Sequence, residues 1–346
     1  MGRRKRSADE PLGILYIDKP AGPTSAEVCD FVRWVLRTRS VGHCGTLDPG
    51  ATGLLVCCVG PATKLVSLLT DDDKTYRGRF VLGSSTTTAD AAGEVTAQAE
   101  LDDATWARAP EVLAGLLGTH ELSPPAFSAV RIDGERAHAK ARRGEQFEVP
   151  KRPMTVLSVA DVELVARGEI AATLRVSKGS FIRSLAVELG ARLGVPAHLG
   201  GLHRVASGAC SLAHPRAISG FDVTPMSPRP DGKPRHRVRV AGVADDRDAQ
   251  AQALREALND PIDVLRIPVV DVPQGAQGDD LVRRVGHGQA ISADHPVLRD
   301  HTPTGTLAVR AGSGLVLCRF EPADDGPVLR VERTLRPLAF DSPTSP

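Results

Sequence analysis

The stretch His43-Cys44-Gly45-Thr46-Leu47-Asp48-Pro49-Gly50-Ala51-Thr52-Gly53-Leu54-Leu55 holds a single carboxylate among residues that favour neither a regular helix nor a regular strand. Its proline fixes its own φ angle and pushes Asp48 towards an extended conformation. Its three glycines permit backbone angles that other residues avoid. The apolar run at 54–59 predicts a buried strand. The stretch therefore predicts a lone acid on a shaped loop beside a core strand, where catalytic residues often lie.

An Asp-Pro pair flanked by glycines is also a common turn, and a turn alone accounts for Asp48. The loop contains no second acid, so it does not suggest the paired-carboxylate chemistry of glycosidases. The residues of the loop leave the choice between a turn and a catalytic acid open.

The composition is that of an ordinary globular protein, with 41% hydrophobic and 25% charged residues. A length of 346 residues suffices for two domains with a sizeable core. No apolar run approaches the length that spans a bilayer, and the basic residues 3–6 lack the apolar stretch of a secretory signal. None of the six cysteines forms a Cys-x-x-Cys pair. We therefore expect a cytoplasmic protein with reduced thiols, no zinc site and no membrane partner.

Charge is unevenly distributed along a chain whose net charge is +1. Residues 71–111 carry nine acids and four bases, whereas 175–204 and 225–240 each carry five bases and one acid. A basic face on a neutral protein suits a polyanionic partner such as nucleic acid. Solvated surface charge explains the same pattern equally well.

Periodicity and turn residues predict alternating helices and strands up to about residue 220. The predicted strands are 13–17, 54–59, 74–82 and a hairpin of 156–165 with 169–177, and the predicted helices are 25–37, a short one from Pro61, 104–117 and 180–193. Residues 225–239 hold four prolines and five bases, which is typical of a linker. A short helix at 247–258 and five short strands beyond it predict a small β-barrel.

Five ordered motifs resemble those of the TruB family of tRNA pseudouridine synthases, whose relatives include dyskerin. They are Ile17-Asp18-Lys19-Pro20-x-Gly22-x-Thr24-Ser25, Gly42-His43-Cys44-Gly45-Thr46-Leu47-Asp48-Pro49-x-Ala51-Thr52-Gly53, Ala62-Thr63-Lys64, Asp73-Lys74-Thr75-Tyr76 and Ser177-Lys178-Gly179-Ser180-Phe181-Ile182-Arg183. The resemblance covers residues 12–215. The C-terminal part looks like a PUA domain, a small RNA-binding barrel, through Val285-Gly286-His287-Gly288-Gln289 and Gly314-Leu315-Val316.

The resemblance implies an α/β (α+β) fold, with a mixed-sheet pseudouridine synthase catalytic domain and a small C-terminal PUA-like β-barrel. We expect a disordered basic tail at 1–10, the catalytic domain at 11–220, a Pro/Arg-rich linker at 221–240 and the PUA-like RNA-binding domain at 241–340. The implied reaction isomerises uridine 55 in the T loop of tRNA to pseudouridine, after the base has been flipped out of its stack. It requires no cofactor. The expected partner is the T stem-loop of tRNA, bound by a monomer without a metal.

The same resemblance assigns roles to individual residues. Asp48 matches the catalytic aspartate, and Arg183 matches the cation that keeps it ionised despite burial. Tyr76 matches the aromatic residue that stacks on the flipped uracil. The substrate-binding residues implied by the resemblance are His43, Tyr76, Asp90, Lys178, Phe181, Arg183 and Leu202.

The remaining residues of that set carry more specific expectations. His43 matches the residue that fills the space left by extruded bases, and Asp90 matches an acid in a loop that touches the substrate base. Leu202 matches an apolar residue of the pocket, although core packing would also explain it. Lys178 is expected to support the Asp48 region or the RNA backbone.

The chain departs from the family pattern at three positions. Phe181 stands where many members have Tyr, which removes a hydroxyl that could move the C5 proton. His203 replaces a frequent Arg and weakens an expected phosphate contact, and Phe127 replaces a frequent Tyr.

Two other functions compete with a stand-alone enzyme. One is an RNA-binding or chaperone protein in which Asp48 is idle, and the other is a dyskerin-like enzyme guided by a second RNA. Simple binding requires no buried carboxylate, so the set of Asp48, Tyr76 and Arg183 favours an enzyme.

Overall fold

The computed structural model describes residues 10–338, apart from 129, 133, 146, 231, 233, 302 and 303. The basic tail predicted at 1–10 therefore lies outside the described residues, except for Glu10. Helices, in chain order, are α1 (Ser25–Leu36), α2 (Val66–Thr70), α3 (Asp103–Ala114), α4 (Ala137–Arg142), α5 (Ile182–Leu193), α6 (Arg247–Glu256), α7 (Pro261–Leu265) and α8 (Ala276–Gly286).

Strands occur singly and in runs between these helices along the described chain. They are β1 (Gly13–Lys19), β2 (Val41–His43), β3 (Thr52–Val59), β4 (Lys74–Leu82), β5 (Ser84–Thr86), β6 (Val95–Gln98), β7 (Gly118–Leu122), β8 (Arg131–Ile132), β9 (Glu135–Arg136), β10 (Arg152–Ala166), β11 (Glu169–Val176), β12 (Ala197–Ser207), β13 (Cys210–Ser211), β14 (Phe221–Met226), β15 (Arg235–Val240), β16 (Val269–Asp271), β17 (Ile291–Ser292), β18 (Thr306–Ala311), β19 (Gly314–Glu321) and β20 (Val328–Arg336).

A nine-stranded mixed sheet forms the centre of the described structure, in the order β1-β3-β12-β4-β11-β10-β7, with β2 beside β3 and β13 beside β12. The pair β3 and β12 is parallel, with His203 opposite Thr52 and Arg204 opposite Gly53. Neighbouring pairs such as β1 with β3 and β4 with β11 are antiparallel. The sheet confirms the mixed α/β architecture that was expected.

The apolar run of β3 is buried because both faces of the sheet are covered. Leu55, Cys57 and Val59 face one apolar core, which also contains the buried sides of α1, α3 and α5. Leu54, Val56 and Cys58 face a second core, which includes residues of the C-terminal sheet. A strand covered on both faces reads as a continuous hydrophobic run, and the sequence shows that run at 54–59.

Helix α1 begins at a capping box, because Thr24 and Glu27 satisfy each other's backbone N–H groups. Its C-terminus at Arg37 adopts a left-handed conformation. Helix α5 follows the β10–β11 hairpin and places Arg183 in its first turn. Both helices lie within a few residues of the bounds that periodicity predicts.

The C-terminal part forms a five-stranded sheet in the order β16-β18-β19-β20-β17, with its own apolar core. The strands predicted at 306–311 and 314–321 have the observed bounds. Helix α8 was not predicted, because its glycine-framed polar sequence hides three buried positions, which are Gly278, Leu281 and Val285. Among the described helices, none is both long and apolar enough to cross a bilayer.

The segment 221–240, for which composition predicts a linker, contains a two-stranded hairpin of β14 and β15. Val238 and Val240 face the core that holds α1, and the ring of Phe221 meets Phe31 edge to face at 6.4 Å between centroids. Alternating valines and arginines in β15 therefore put apolar side chains inward and charged side chains outward. The division into domains at these residues stays a prediction.

Candidate functional site

Asp48 lies on the loop between β2 and β3, and its two neighbours are held by the turn that precedes α1. The Ser25 hydroxyl accepts a hydrogen bond from Leu47 N at 2.9 Å and donates one to Leu47 O at 3.0 Å. The Pro49 carbonyl accepts a hydrogen bond from Gly22 N at 2.8 Å. The backbone on both sides of Asp48 is thus fixed by residues of the first motif.

Lys19 also holds the backbone of the Asp48 loop. Its side chain is fully buried, and its Nζ donates to the carbonyls of Pro20, Pro49 and Ala51 at 2.9, 3.2 and 2.8 Å. Burial lowers the pKa of Lys19 to about 8, and Asp48 opposes this shift. Lys19 was part of a predicted motif but had no assigned role, because its bonds to distant carbonyls leave no local signal in the sequence.

Arg183 joins Asp48 to Asp90. Its Nη2 lies 3.0 Å from Asp48 Oδ2, and its Nη1 lies 3.5 Å from Asp90 Oδ2. The guanidinium is buried, and it also donates to the carbonyls of Thr88 and Phe127 at 3.1 and 3.0 Å. One cation therefore fixes three chain segments around the Asp48 carboxylate.

The electrostatics of Asp48 are a balance of burial against charge. Burial raises its pKa, Arg183 lowers it, the neighbouring Asp90 raises it, and Lys19 lowers it; the net direction is upward. The side chain is 47% exposed, so the carboxylate is reachable from one side while protein surrounds the other. The Arg183 and Lys19 cations favour the ionised form against the effect of burial, and the carboxylate is still accessible to a substrate.

Asp90 is fixed by its own loop. Its Oδ1 accepts hydrogen bonds from Thr88 Oγ1 at 2.6 Å and from Ala92 N at 3.0 Å. Leu199 ties the loop to β12, because its N–H donates to Ala89 O and its carbonyl accepts from Ala91 N, both at 3.1 Å. The loop that carries Asp90 is thus anchored to the central sheet beside Asp48.

Arg204 is a site residue that sequence reasoning missed. It is 1% exposed, and it donates from Nε to Leu54 O at 2.6 Å and from Nη2 to Gly45 O at 3.0 Å. A Cβ at Gly45, where φ is +102°, would lie 3.3 Å from Arg204 Nη1. The requirement for glycine at this position therefore has a steric as well as a conformational cause.

Three further expected residues lie on elements of the same sheet or next to α5. Tyr76 on β4 is 9% exposed and belongs to the same apolar core as Leu47. Phe181 directly precedes α5, with the guanidinium carbon of Arg152 6.0 Å from its ring centre. Leu202 on β12 helps to line a shallow groove of about 500 Å³, together with Gly50, Thr52, Arg77, Gly78, Arg79, Glu163, Val165, Ala171, Gly201 and His203.

Two expected residues lie apart from the carboxylate. His43 sits on β2 opposite Cys57, where burial lowers its pKa, and its buried Nδ1 has no hydrogen-bond partner among the described residues. Lys178 is exposed, and its Nζ lies 3.0 Å from Asp71 Oδ2. The described contacts of Lys178 therefore do not include Asp48, whose cations are Arg183 and Lys19.

The arrangement provides one half-exposed carboxylate on a fixed loop, with a buried cation 3.0 Å from it. Within the described ranges, no group of three His, Cys, Asp or Glu side chains is placed to hold a metal ion. The centre suits acid, base or nucleophile chemistry by a single carboxylate on a substrate that reaches it from the open side.

Comparisons with known proteins identify the family. A model of the N-terminal domain of the TruB family of pseudouridylate synthases matches residues 33–182. tRNA pseudouridine synthase B of Roseobacter denitrificans is 40% identical over 231 residues, covering 67% of this chain and 76% of its own. The same-named protein of Bacillus cereus strain ATCC 10987 is 45% identical over 202 residues, covering 57% of this chain and 66% of its own.

Solved structures agree on the fold. A chain of a Cbf5-Nop10-Gar1 complex aligns with 96% of this chain and 92% of its own, with a TM-score of 0.63 at 20% identity. A chain of an H/ACA RNP bound to a substrate RNA containing 2′-deoxyuridine aligns over the same shares, with a TM-score of 0.58 at 18% identity. The likeness extends beyond the central sheet into the C-terminal sheet.

Proposed function

The chain belongs to the TruB family of pseudouridylate synthases, and on that premise we propose that it converts uridine 55 in the T loop of tRNA to pseudouridine. The observation that carries the proposal is the Asp48–Arg183 pair of 3.0 Å, in which a half-exposed carboxylate is backed by a buried guanidinium. Simple RNA binding gives no reason to keep an acid at this place, since a carboxylate repels phosphate.

The reaction breaks the C1′–N1 bond of the nucleotide, turns the uracil and forms a C1′–C5 bond. C5 loses its proton and N1 gains one, so the product is an isomer of the substrate and no oxidant or cofactor takes part. Asp48 attacks the ribose, attacks the base or abstracts a sugar proton. Each of these routes begins with the ionised carboxylate, and Arg183 favours that form.

The target base has to leave its stack before it meets Asp48. Tyr76 offers an aromatic face for the flipped uracil, and Phe181 and Leu202 offer apolar surface beside it. Asp90, held by Thr88 and Ala92, contacts the base in this proposal. His43 takes the space of the extruded bases, and Lys178 contacts the RNA backbone.

The wider assignment follows the same premise. A folded stem-loop is read by shape and splayed bases, so the partner is the T stem-loop of tRNA. The C-terminal sheet acts as a PUA-like RNA-binding domain, and residues 221–240 join it to the catalytic domain at 11–220. The enzyme works in the cytoplasm as a monomer.

The decisive experiment incubates the purified chain with an unmodified tRNA transcript and maps pseudouridine at nucleotide resolution. We expect product at position 55 with the parent chain and with Asp103→Asn, a matched control at an exposed acid of α3. Asp48→Asn keeps the shape but removes the charge, so we expect a folded protein that binds tRNA and forms no product.

The alternatives give different outcomes in the same assay. A parent chain that binds tRNA and never forms product supports a binding or chaperone protein. Product that appears only when a guide RNA is added supports a dyskerin-like enzyme. Turnover by verified Asp48→Asn protein contradicts the role of Asp48.

A further inference from the structure

The β14–β15 hairpin contacts the turn that holds the Asp48 loop, and Glu27 is the point of contact. The Glu27 side chain is buried on the first turn of α1. Its Oε2 accepts hydrogen bonds from Thr24 N at 2.8 Å and Thr24 Oγ1 at 3.0 Å, while its Oε1 accepts one from His236 N at 3.1 Å. One carboxylate therefore bonds to the turn with one oxygen and to the hairpin with the other.

The imidazole of His236 makes a second contact with the same turn. Its Nδ1 lies 3.6 Å from Glu27 Oε2. A Cβ built on Gly22 would lie 3.4 Å from Nε2 of this ring, so the edge of the imidazole rests against the Gly22 backbone. Gly22 has a φ of +103°, a conformation that glycine adopts readily and that residues with a side chain avoid.

The turn between Lys19 and Ser25 is the support of Asp48. Gly22 N donates to Pro49 O, and Ser25 exchanges two hydrogen bonds with Leu47, so the residues before and after Asp48 are both fixed by this turn. A displacement of the turn is therefore passed directly to the carboxylate.

The hairpin is itself firmly attached to the body of the protein. Val238 and Val240 lie in the main apolar core, and Gln250 of α6 exchanges hydrogen bonds with the Val240 backbone at 2.9 and 3.2 Å. The hairpin can consequently act as a fixed brace for the turn, because its inner face is held at several points.

We propose that the β14–β15 hairpin positions the Asp48 loop through Glu27 and His236, which act as positioning residues. Both lie outside residues 33–182, the part of the chain that the family model matches. The role of this brace in catalysis rests on the proposed function, whereas its effect on the loop can be measured without any reaction.

The first test measures amide hydrogen exchange of the full chain by mass spectrometry. We expect Glu27→Ala to accelerate exchange in peptides that cover residues 44–51 by about tenfold, the factor for losing roughly one charge-assisted hydrogen bond. His236→Ala keeps the backbone N–H but loses the ring contacts with Glu27 and Gly22, so we expect it to accelerate exchange in the same peptides. Arg237→Ala is the matched control, because it lies on the same strand, faces outward and pairs with Asp245. Faster exchange in the hairpin with unchanged exchange in 44–51 would overturn the proposal.

The second test measures single-turnover pseudouridine formation at saturating protein, together with tRNA affinity. We expect the rate of Glu27→Ala and His236→Ala to fall about tenfold with an unchanged Kd, and the double variant to be no slower than the slower single variant. Glu27→Gln retains one acceptor oxygen, so it should recover part of the rate, and it replaces Glu27→Ala if that protein does not fold. Single-turnover rates within twofold of the parent, or a double variant whose loss of rate is the product of the two single losses, would refute the proposal that Glu27 and His236 act together on the Asp48 loop.

The two tests separate this inference from the proposed function. A parent chain that makes no pseudouridine contradicts the function, and the exchange measurement still decides whether the hairpin holds the loop.

Discussion

Replacing Arg183 with Met removes the cation behind Asp48 while keeping an unbranched side chain in the same space. The structure gives Arg183 one bond of 3.0 Å to Asp48 and two bonds to the carbonyls of Thr88 and Phe127. The bond to Asp48 affects the reaction rate, and the two bonds to backbone carbonyls affect the stability of the folded protein. The substitution should therefore affect the reaction rate and the free energy of unfolding separately.

The magnitude follows from the bond that is lost. A hydrogen bond to a charged group contributes about 1.5–3 kcal/mol, and each 1.36 kcal/mol changes a rate tenfold, which gives a loss of about 10- to 150-fold. Solvent weakens the pair because Asp48 is 47% exposed, so we expect the lower half of this range. Loss of the donors to Thr88 and Phe127 should lower the free energy of unfolding by about 1–3 kcal/mol.

The pH profile separates a loss of charge from a general disturbance. The ionised form of Asp48 is the active one, so the rate falls as the pH drops through the pKa of this group. Arg183 lowers that pKa, and its removal raises it, so the acid limb of the profile should move to higher pH.

The assay is single-turnover pseudouridine formation from pH 5 to 8 at a temperature well below the unfolding transition. Arg192→Met is the matched control on the same helix, because Arg192 pairs with Glu188 and lies in the last turn of α5, whereas Arg183 lies in the first. Arg183→Lys keeps the positive charge but loses the planar set of guanidinium N–H donors. The acid limb of its pH–rate profile should therefore lie closer to that of the parent than the acid limb of Arg183→Met does. A near-normal rate with an unmoved acid limb in Arg183→Met would refute the assigned role.

Three further outcomes are expected. If Tyr76 acts by stacking, which contributes roughly 1–3 kcal/mol, Tyr76→Phe should keep most of the single-turnover rate and Tyr76→Leu should lose much of it. A large loss of rate in Tyr76→Phe, together with a new isotope effect on 5-deuterated uridine, would instead show that the Tyr76 hydroxyl removes the C5 proton. Replacing Arg235, Arg237 and Arg239 with Gln should weaken tRNA binding and reduce the dependence of the Kd on salt concentration. A lower single-turnover rate at saturating protein would show that these arginines also help to form the active site. Burial lowers the pKa of Lys19 from 10.5 to about 8, so between these pH values the folded state binds fewer protons than the unfolded state, and the free energy of unfolding rises with pH. In urea titrations at pH 8 and 9.5, this increase in the free energy of unfolding should be smaller in Lys19→Met than in the parent. An equal increase would contradict the pKa shift.

The parts of the fold that follow local rules could be predicted from the sequence. Alternation predicted the β10–β11 hairpin around residues 167 and 168, and helical spacing predicted α1 from residue 25 onward. The loop of Asp48 was recognised because proline and glycine restrict the backbone in ways that leave a local trace. In each case the physical cause lies within a few neighbouring residues.

The parts that depend on distant partners could not be predicted. Arg204 and Lys19 donate hydrogen bonds to backbone carbonyls of the Asp48 loop. Every residue has a backbone carbonyl, so no particular residue type in the sequence indicates these partners. The β14–β15 hairpin was hidden by its prolines and arginines, which composition assigns to a linker. Its inward valines pack in the core that holds α1, and this long-range contact is not visible in the composition.

The position of β12 between β3 and β4 has a consequence for the newly made chain. Domains form largely during synthesis, from the N-terminus onward. Until residues 197–207 have left the ribosome, the strands that bear Thr52 and Tyr76 have no bridge between them, and Arg204 cannot hold the Asp48 loop. A nascent chain that ends before this strand therefore carries Asp48, Asp90 and Arg183 but lacks Arg204, and we expect it to be inert towards the RNA that surrounds it during translation.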